Sequence, residues 1–147
     1  MKKKIKAAYI GSGPISHFHI PAIKKANFEI ISVFSRKNSS RLKDFASKFS
    51  LPKPSYDLKN FIKDSKKADC FIVAIKTDFT PKILRKLMKL KKPMFVEKPG
   101  ALRSKDLTDL KKIKNSKVFF AYNRRFYNAT AQAQNFIKKN TSTNTIV

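Results

Sequence analysis

The feature that most constrains this chain is a glycine turn, Gly11-Ser12-Gly13-Pro14-Ile15-Ser16, set between two different hydrophobic periodicities. Before it, residues 4–10 end in Ala7, Ala8, Tyr9 and Ile10, a nearly continuous apolar run of the kind found in strands covered on both faces. After it, Ile15, Phe18, His19, Ala22, Ile23 and Ala26 recur at a helical period. A strand that turns through glycines into a helix gathers backbone N–H groups and the positive end of the helix dipole at one point, which suits a pyrophosphate. Gly11 permits the tight turn, and Gly13 lets the backbone come close to a phosphate. The third position of the G-x-G-x-x-G pattern is Ser16, still small enough for the helix to lie against its strand. Pro21, inside the helical pattern, predicts a bend or a restart. His19 reads as a core histidine bonded to backbone rather than as a catalytic group.

The remaining chain alternates strand and helix. Residues 29–35 read as a second strand. Asn38 is placed to cap a helix carrying Leu42, Phe45, Ala46 and Phe49. Pro52 and Pro54 lead to a very short strand at Ser55 and Tyr56, and Asp57 caps a helix through Leu58, Phe61 and Ile62. Residues 70–75 are an uninterrupted apolar run, the fourth strand. Thr80 and Pro81 then open a helix with Ile83, Leu84, Leu87 and Met88 inward. Residues 93–96 are the next strand, running into Glu97-Lys98-Pro99-Gly100, and Ser104 caps a helix with Leu107, Leu110 and Ile113. Residues 117–122 form the last strand. A final helix after Asn123-Arg124-Arg125 aligns Phe126, Ala129, Ala133, Phe136 and Ile137.

Short connections between alternating elements imply an α/β fold, a doubly wound Rossmann-type parallel sheet with helices on both faces. The expected strand order is 3-2-1-4-5-6, with ligand at the carboxyl ends of the strands. The expected division is a nucleotide-binding domain over residues 1–123 and, over residues 124–147, a linker helix with the start of a second, substrate domain.

Composition narrows the class further. A hydrophobic content of 41% with 13 Phe argues for a packed core and against disorder. One cysteine, Cys70, excludes an internal disulfide and fits a reducing, cytoplasmic setting. The apolar run behind the N-terminal lysines is too short for a signal peptide, and no stretch reaches membrane-spanning length. The net charge of +25 raises nucleic acid as a partner. Against it, only six of the 34 basic residues are Arg, and the lysines are spread along every polar face without an arginine cluster or aromatic interleaving. The lean toward Lys, Asn, Ile and Phe is what an AT-rich coding sequence produces. Neither nucleic acid nor membrane is therefore expected as a partner.

Taken together, the glycine turn with His19 and Pro21-Ala22, Val73-Ala74-Ile75 closing the fourth strand, Glu97-Lys98-Pro99, and Tyr122-Asn123-Arg124-Arg125-Phe126 resemble the N-terminal half of the glucose-fructose oxidoreductase / inositol dehydrogenase / MocA-like family. Glu-Lys-Pro after a strand, at this distance from the glycine turn, is the specific element. The resemblance implies an NAD- or NADP-dependent enzyme acting on sugars, polyols or nucleotide sugars, oligomeric at full length. It also implies a larger second domain, expected to begin where this sequence ends and to carry the Asp and His motifs of catalysis. It assigns Lys98 to the reacting carbon and Glu97 to the cofactor. Cofactor contacts are implied for Gly11, Ser12, Gly13, Pro14, Ile15, Ala74, Ile75, Thr77 and Lys98. Family members often have a cis bond before the proline, which would aim the lysine. For Arg124 and Arg125, a cofactor or substrate contact and plain solvation of a helix start stand level. The family's Thr-Pro-Asn and following His after the fourth strand are replaced here by Ile75-Lys76-Thr77 and Thr80.

The second strand decides the cofactor. An acidic residue at its end would bond the ribose 2′-hydroxyl of NAD, but the chain has Ser35-Arg36-Lys37 there and no acid between Glu29 and Asp44. A hydroxyl followed by two cations favours the 2′-phosphate of NADP, with NAD as the alternative. Three functions are weighed on these grounds. They are the cofactor-binding part of an oxidoreductase, expected to be inactive as this chain alone, a non-catalytic nucleotide-binding module, and a basic nucleic-acid binder; the first is favoured.

Overall fold

The protein, described here by a computed structural model over residues 3–35, 40–114 and 117–140, is built on a five-stranded parallel sheet. Its strands are β1 (Ile5–Ile10), β2 (Phe28–Phe34), β3 (Cys70–Val73), β4 (Met94–Val96) and β5 (Val118–Phe120), in the spatial order β2-β1-β3-β4-β5. The expected third strand is reduced to a single parallel bridge, Phe34 to Ser55, on the outer edge of β2. Pro52 and Pro54 precede it and cannot donate to a ladder, so pairing does not extend on that side. With that bridge counted, the order is the doubly wound one.

The connecting helices are α1 (Ser16–Lys25), α2 (Ser40–Lys48), α3 (Leu58–Asp64), α4 (Thr80–Leu87), α5 (Ser104–Lys111) and α6 (Asn128–Asn140). α1 runs through Pro21 as one helix, so the expected restart does not occur. Its buried Ile20 and half-buried Ile23 pack on the sheet and offset the hydrogen bond that proline removes. Asp57 caps α3 as expected, its carboxylate accepting the Asn60 N–H at 2.9 Å. Thr80 and Ser104, expected as caps, are instead the first helical residues of α4 and α5. The Thr80 hydroxyl turns back to the Lys76 carbonyl at 3.2 Å, so it closes the preceding loop. The expected cap Asn38 lies outside the described residues, as do Arg36 and Lys37.

Two apolar layers sandwich the sheet. On one face Ala8, Ile10, Phe34, Phe71, Val73, Met94 and Val96 meet Phe61, Leu84, Leu87 and Leu110 from α3, α4 and α5. A polar pair is buried alongside: Ser65 donates to the Phe61 carbonyl at 2.6 Å, which leaves Ser32 as the donor to Ser65 at 2.7 Å. On the other face Tyr9, Ile30, Val33 and Ala74 meet Ile20 of α1 and Leu42 and Phe45 of α2. The last helix departs from expectation. A 3-10 turn over Asn123–Phe126 precedes it, the chain extends at Tyr127, and only then does α6 begin. Phe126, Phe136 and Ile137 of its expected apolar stripe are exposed.

Candidate nucleotide-binding site

The crevice lies at the carboxyl ends of β1, β2, β3 and β4, where the order of the strands reverses between β1 and β3. Gly11 leaves β1 with φ of 128°, a left-handed conformation that side chains resist, and donates its N–H to the Phe34 carbonyl at 2.8 Å. A Cβ at Gly11 would stand 2.1 Å from the Ala74 carbonyl oxygen, so only glycine lets β1 and the end of β3 come this close. At Gly13 the reverse holds: a Cβ would meet nothing within 4 Å. Gly11 is therefore required by the protein's own packing, while Gly13 faces open space.

The turn also keeps donors spare. Ser16, His17 and Phe18 spend their N–H groups on the carbonyls of Gly13, Pro14 and Ile15, at 2.9, 3.1 and 3.1 Å. The free donors at the helix start are the N–H groups of Gly13 and of Ile15, the N-cap of α1, which have no partner among the described residues. Ser16 is fully buried at the contact of α1 with the sheet, which accounts for a small residue at the third glycine position. An open cradle with unpaired N–H groups at the head of a helix fits a dinucleotide phosphate.

The other residues singled out in the sequence surround this turn. Ser12 donates to Ser35 at 3.3 Å, which brings the end of β2 against the loop. Ala74 is buried and bonds the Ile10 carbonyl through its N–H at 2.8 Å, while Ile75 and Thr77 are half-buried behind it and Lys76 is exposed. Glu97 follows β4, is anchored by its N–H to the Val73 carbonyl at 2.8 Å, and is half-buried; Lys98 is exposed, with its peptide to Pro99 in cis. Pro14 and Ile15 line the outer side of the turn. Arg124 is exposed in the 3-10 turn after β5, its carbonyl accepting the Thr130 hydroxyl at 2.8 Å. Arg125 is held over the rings of Tyr122 and Phe126, each at 5.9 Å.

One association was not read from the sequence. The His19 ring makes no backbone bond, contrary to expectation; it spans the Tyr9 hydroxyl (3.2 Å at Nδ1) and the Glu97 carboxylate (2.9 Å at Nε2). Burial pushes the Tyr9 phenol well above its usual value, and the Glu97 charge adds to that. The buried Ser16 hydroxyl works against the shift without reaching hydrogen-bond geometry. The signal available in the sequence was a tyrosine next to the end of an otherwise aliphatic strand: a polar tip at that depth needs a partner.

No group of three or more His, Cys, Asp or Glu among the described residues could hold a metal ion. No helix among them is long and apolar enough to cross a membrane.

No curated protein matches the chain in sequence. Among solved structures, the WlbA dehydrogenase from Bordetella pertussis, in complex with NADH and UDP-GlcNAcA, superposes with a TM-score of 0.82 at 21% identity, over 92% of this chain and 43% of that one. Myo-inositol 2-dehydrogenase from Lactobacillus plantarum gives 0.80 at 19% identity, over 93% and 42%. Scyllo-inositol dehydrogenase from Lactobacillus casei, with bound NAD(H) and scyllo-inositol, gives 0.80 at 17%, over 93% and 42%. These likenesses establish the fold, and the chain spans about two fifths of the length of each. Residues 5–122 match the model of the GFO_IDH_MocA oxidoreductase family, NAD-binding Rossmann fold, and the chain with its glycine turn and Glu-Lys-Pro corner belongs to that family.

Proposed function

We propose that this NAD(P)-binding Rossmann domain takes NADP and serves an oxidoreductase that moves a hydride between the nicotinamide and a sugar, polyol or nucleotide sugar. The observation that carries the reading is the contrast at the turn: Gly11 is packed on Ala74, whereas Gly13 opens on empty space beside unpaired N–H groups. When bound, the nicotinamide supplies the hydride donor or acceptor. The chain's own residues then have separable tasks. The Gly13 and Ile15 N–H groups bind phosphate oxygens, with Ser12, Pro14, Ala74, Ile75 and Thr77 shaping the walls. Ser35, Arg36 and Lys37 select a 2′-phosphate through a hydroxyl and two cations. Glu97 accepts cofactor hydroxyls, and Lys98 offers an ammonium to the substrate oxygen, where it stabilises developing negative charge.

Two further points complete the reading. Residues 124–147 act as the link toward a substrate domain, and this chain by itself binds cofactor without turnover. Lys98 is exposed among the described residues, and water weakens the stabilisation it gives. The chemistry of the matched structures, which hold UDP-GlcNAcA in one case and scyllo-inositol in another, supports a polyhydroxylated substrate.

The test is a fluorescence titration of the purified chain with NADPH and NADH. NADPH is expected to bind more tightly, and Arg36→Ala to weaken it by roughly 1.5–3 kcal/mol, the worth of a charge-assisted hydrogen bond, with little change for NADH. Equal affinity for the two would overturn NADP selection. Absorbance at the nicotinamide band with a panel of sugars, polyols and nucleotide sugars checks turnover; activity that disappears in Lys98→Ala would show a complete site. The second reading, a nucleotide-binding module without catalysis, draws on the solvent exposure of Lys98 and predicts binding with no turnover even beside a supplied substrate domain.

A further inference from the structure

Beside the crevice, a side-chain relay joins two of the sequence motifs, the helix after the glycine turn and the Glu-Lys-Pro corner. His19 sits one turn into α1, between Tyr9 on β1 and Glu97 at the end of β4. Its bridge therefore crosses over the end of β3, which lies between β1 and β4 in the sheet. The direction of each bond follows from chemistry. An ionised carboxylate only accepts, so Nε2 carries the proton and donates to Glu97 Oε1 at 2.9 Å. In the neutral ring Nδ1 is then an acceptor, and the Tyr9 hydroxyl is its donor at 3.2 Å.

Both ends of the relay are fixed. Tyr9 is fully buried and its ring meets the imidazole edge-on, at 6.5 Å and 79°. Glu97 is gripped from its other oxygen as well: Oε2 accepts the Lys98 N–H at 3.1 Å. The side chains of His19 and Glu97 are 25% and 20% exposed, so this charge-assisted bond is partly shielded from water and stronger than a surface ion pair. Each carboxylate oxygen still has a lone pair to spare, so Glu97 can accept ligand hydroxyls while it is held.

We propose that His19 is a positioning residue: anchored by Tyr9, it orients the Glu97 carboxylate so that Glu97 receives cofactor hydroxyls in one geometry. This rests on the cofactor-binding reading above. A merely structural histidine would tie α1 to β4 and affect folding alone. A positioning histidine affects binding, and only through Glu97.

The experiment is a double-mutant cycle on binding of NADPH and NADH by the full chain, with thermal unfolding of each variant alongside. His19→Ala is expected to weaken binding of the preferred cofactor about tenfold, the worth of one charge-assisted hydrogen bond. His19→Gln, which keeps an N–H donor, restores most of that loss. In a Glu97→Ala background, His19→Ala has no further effect. Equal binding by His19→Ala and the unmutated chain would overturn the proposal, as would a loss that persists undiminished without Glu97, or a glutamine variant as weak as alanine. Should His19→Ala fail to fold, imidazole 15N shifts of the folded protein decide instead. An Nε2–H tautomer that is lost in Glu97→Ala supports the relay, and one indifferent to Glu97 sinks it. An unmutated chain that binds neither cofactor would bring down the functional reading and this inference with it. Binding that ignores His19 would bring down this inference alone.

Discussion

The two faces of the sheet have the same kind of sequence and opposite fates. One face is roofed from edge to edge: α3, α4 and α5 cover it, and Phe71, Val73, Met94 and Val96 are almost wholly buried beneath them. Among the described residues, the other is roofed over β1 and β2 alone, by α1 and α2. Beyond α1, Ile72 is half-buried, and Phe95 and Phe119 stack on each other at 5.6 Å while 44% and 52% exposed. A cavity of about 310 Å³ opens there between α1 and β4, walled by Ala22, Ile23, Phe28, Ile72, Phe95 and Ala121 and bounded by His19 and Glu97.

The difference is topological. Right-handed crossovers from β1 to β2 place their helices on one face, and crossovers in the opposite direction, from β3 to β4 and β5, place theirs on the other. Among the described residues, half of one face is thereby left without a helix of its own. Apolar character at Phe95 and Phe119 exceeds what the described residues bury, and burial in this protein follows the winding of the chain as much as its hydrophobicity.

Hydrogen exchange gives the widest separation between the covered and uncovered regions. Amides of β3, central in the sheet, should open only with global unfolding. Those of α6, whose Phe136 and Ile137 are exposed, should open at a free energy lower by about 5 kcal/mol or more. Equal protection would mean that α6 finds a surface in solution.

Truncating one phenylalanine on each face sharpens the comparison further. Phe71→Ala removes a fully buried ring and should cost about 3–5 kcal/mol in urea unfolding, whereas Phe95→Ala should cost under about 1 kcal/mol. A loss at Phe95 as large as that at Phe71 would show the bare face to be covered in solution.

The glycine turn repeats the contrast on a smaller scale. Gly11→Ala forces a side chain into positive φ and onto the Ala74 carbonyl, for about 2–4 kcal/mol of destabilisation. Gly13→Ala enters open space and should change stability by under about 1 kcal/mol, yet weaken NADPH binding at least tenfold by filling the cradle. Loss of binding without loss of stability is the outcome that separates a ligand site from a structural turn.

Much of this was legible in the order of residues because the signals are local. The strand-turn-helix at residues 5–25, the apolar run at Cys70–Val73 and the Asp57 cap each depend on neighbours within about a turn of chain. Caps at Thr80 and Ser104 were displaced by one residue, within the usual uncertainty of a helix end. The break before α6 was not legible, since the residues around Tyr127 follow a helical pattern while the backbone there is extended.

By itself, then, the sequence determined the alternation of elements, the family, the need for glycine at the turn and the set of residues that gather at the strand ends. Periodicity and turn chemistry act over a few residues, and they survive any tertiary arrangement. Only the tertiary structure decided which glycine faces packing and which faces open space, and that His19 reaches a carboxylate 78 positions away. It alone also decided that one sheet face is closed and, among the described residues, the other half bare. These are consequences of three-dimensional proximity between distant segments, fixed by the handedness of the crossovers and by the depth at which Tyr9 is buried.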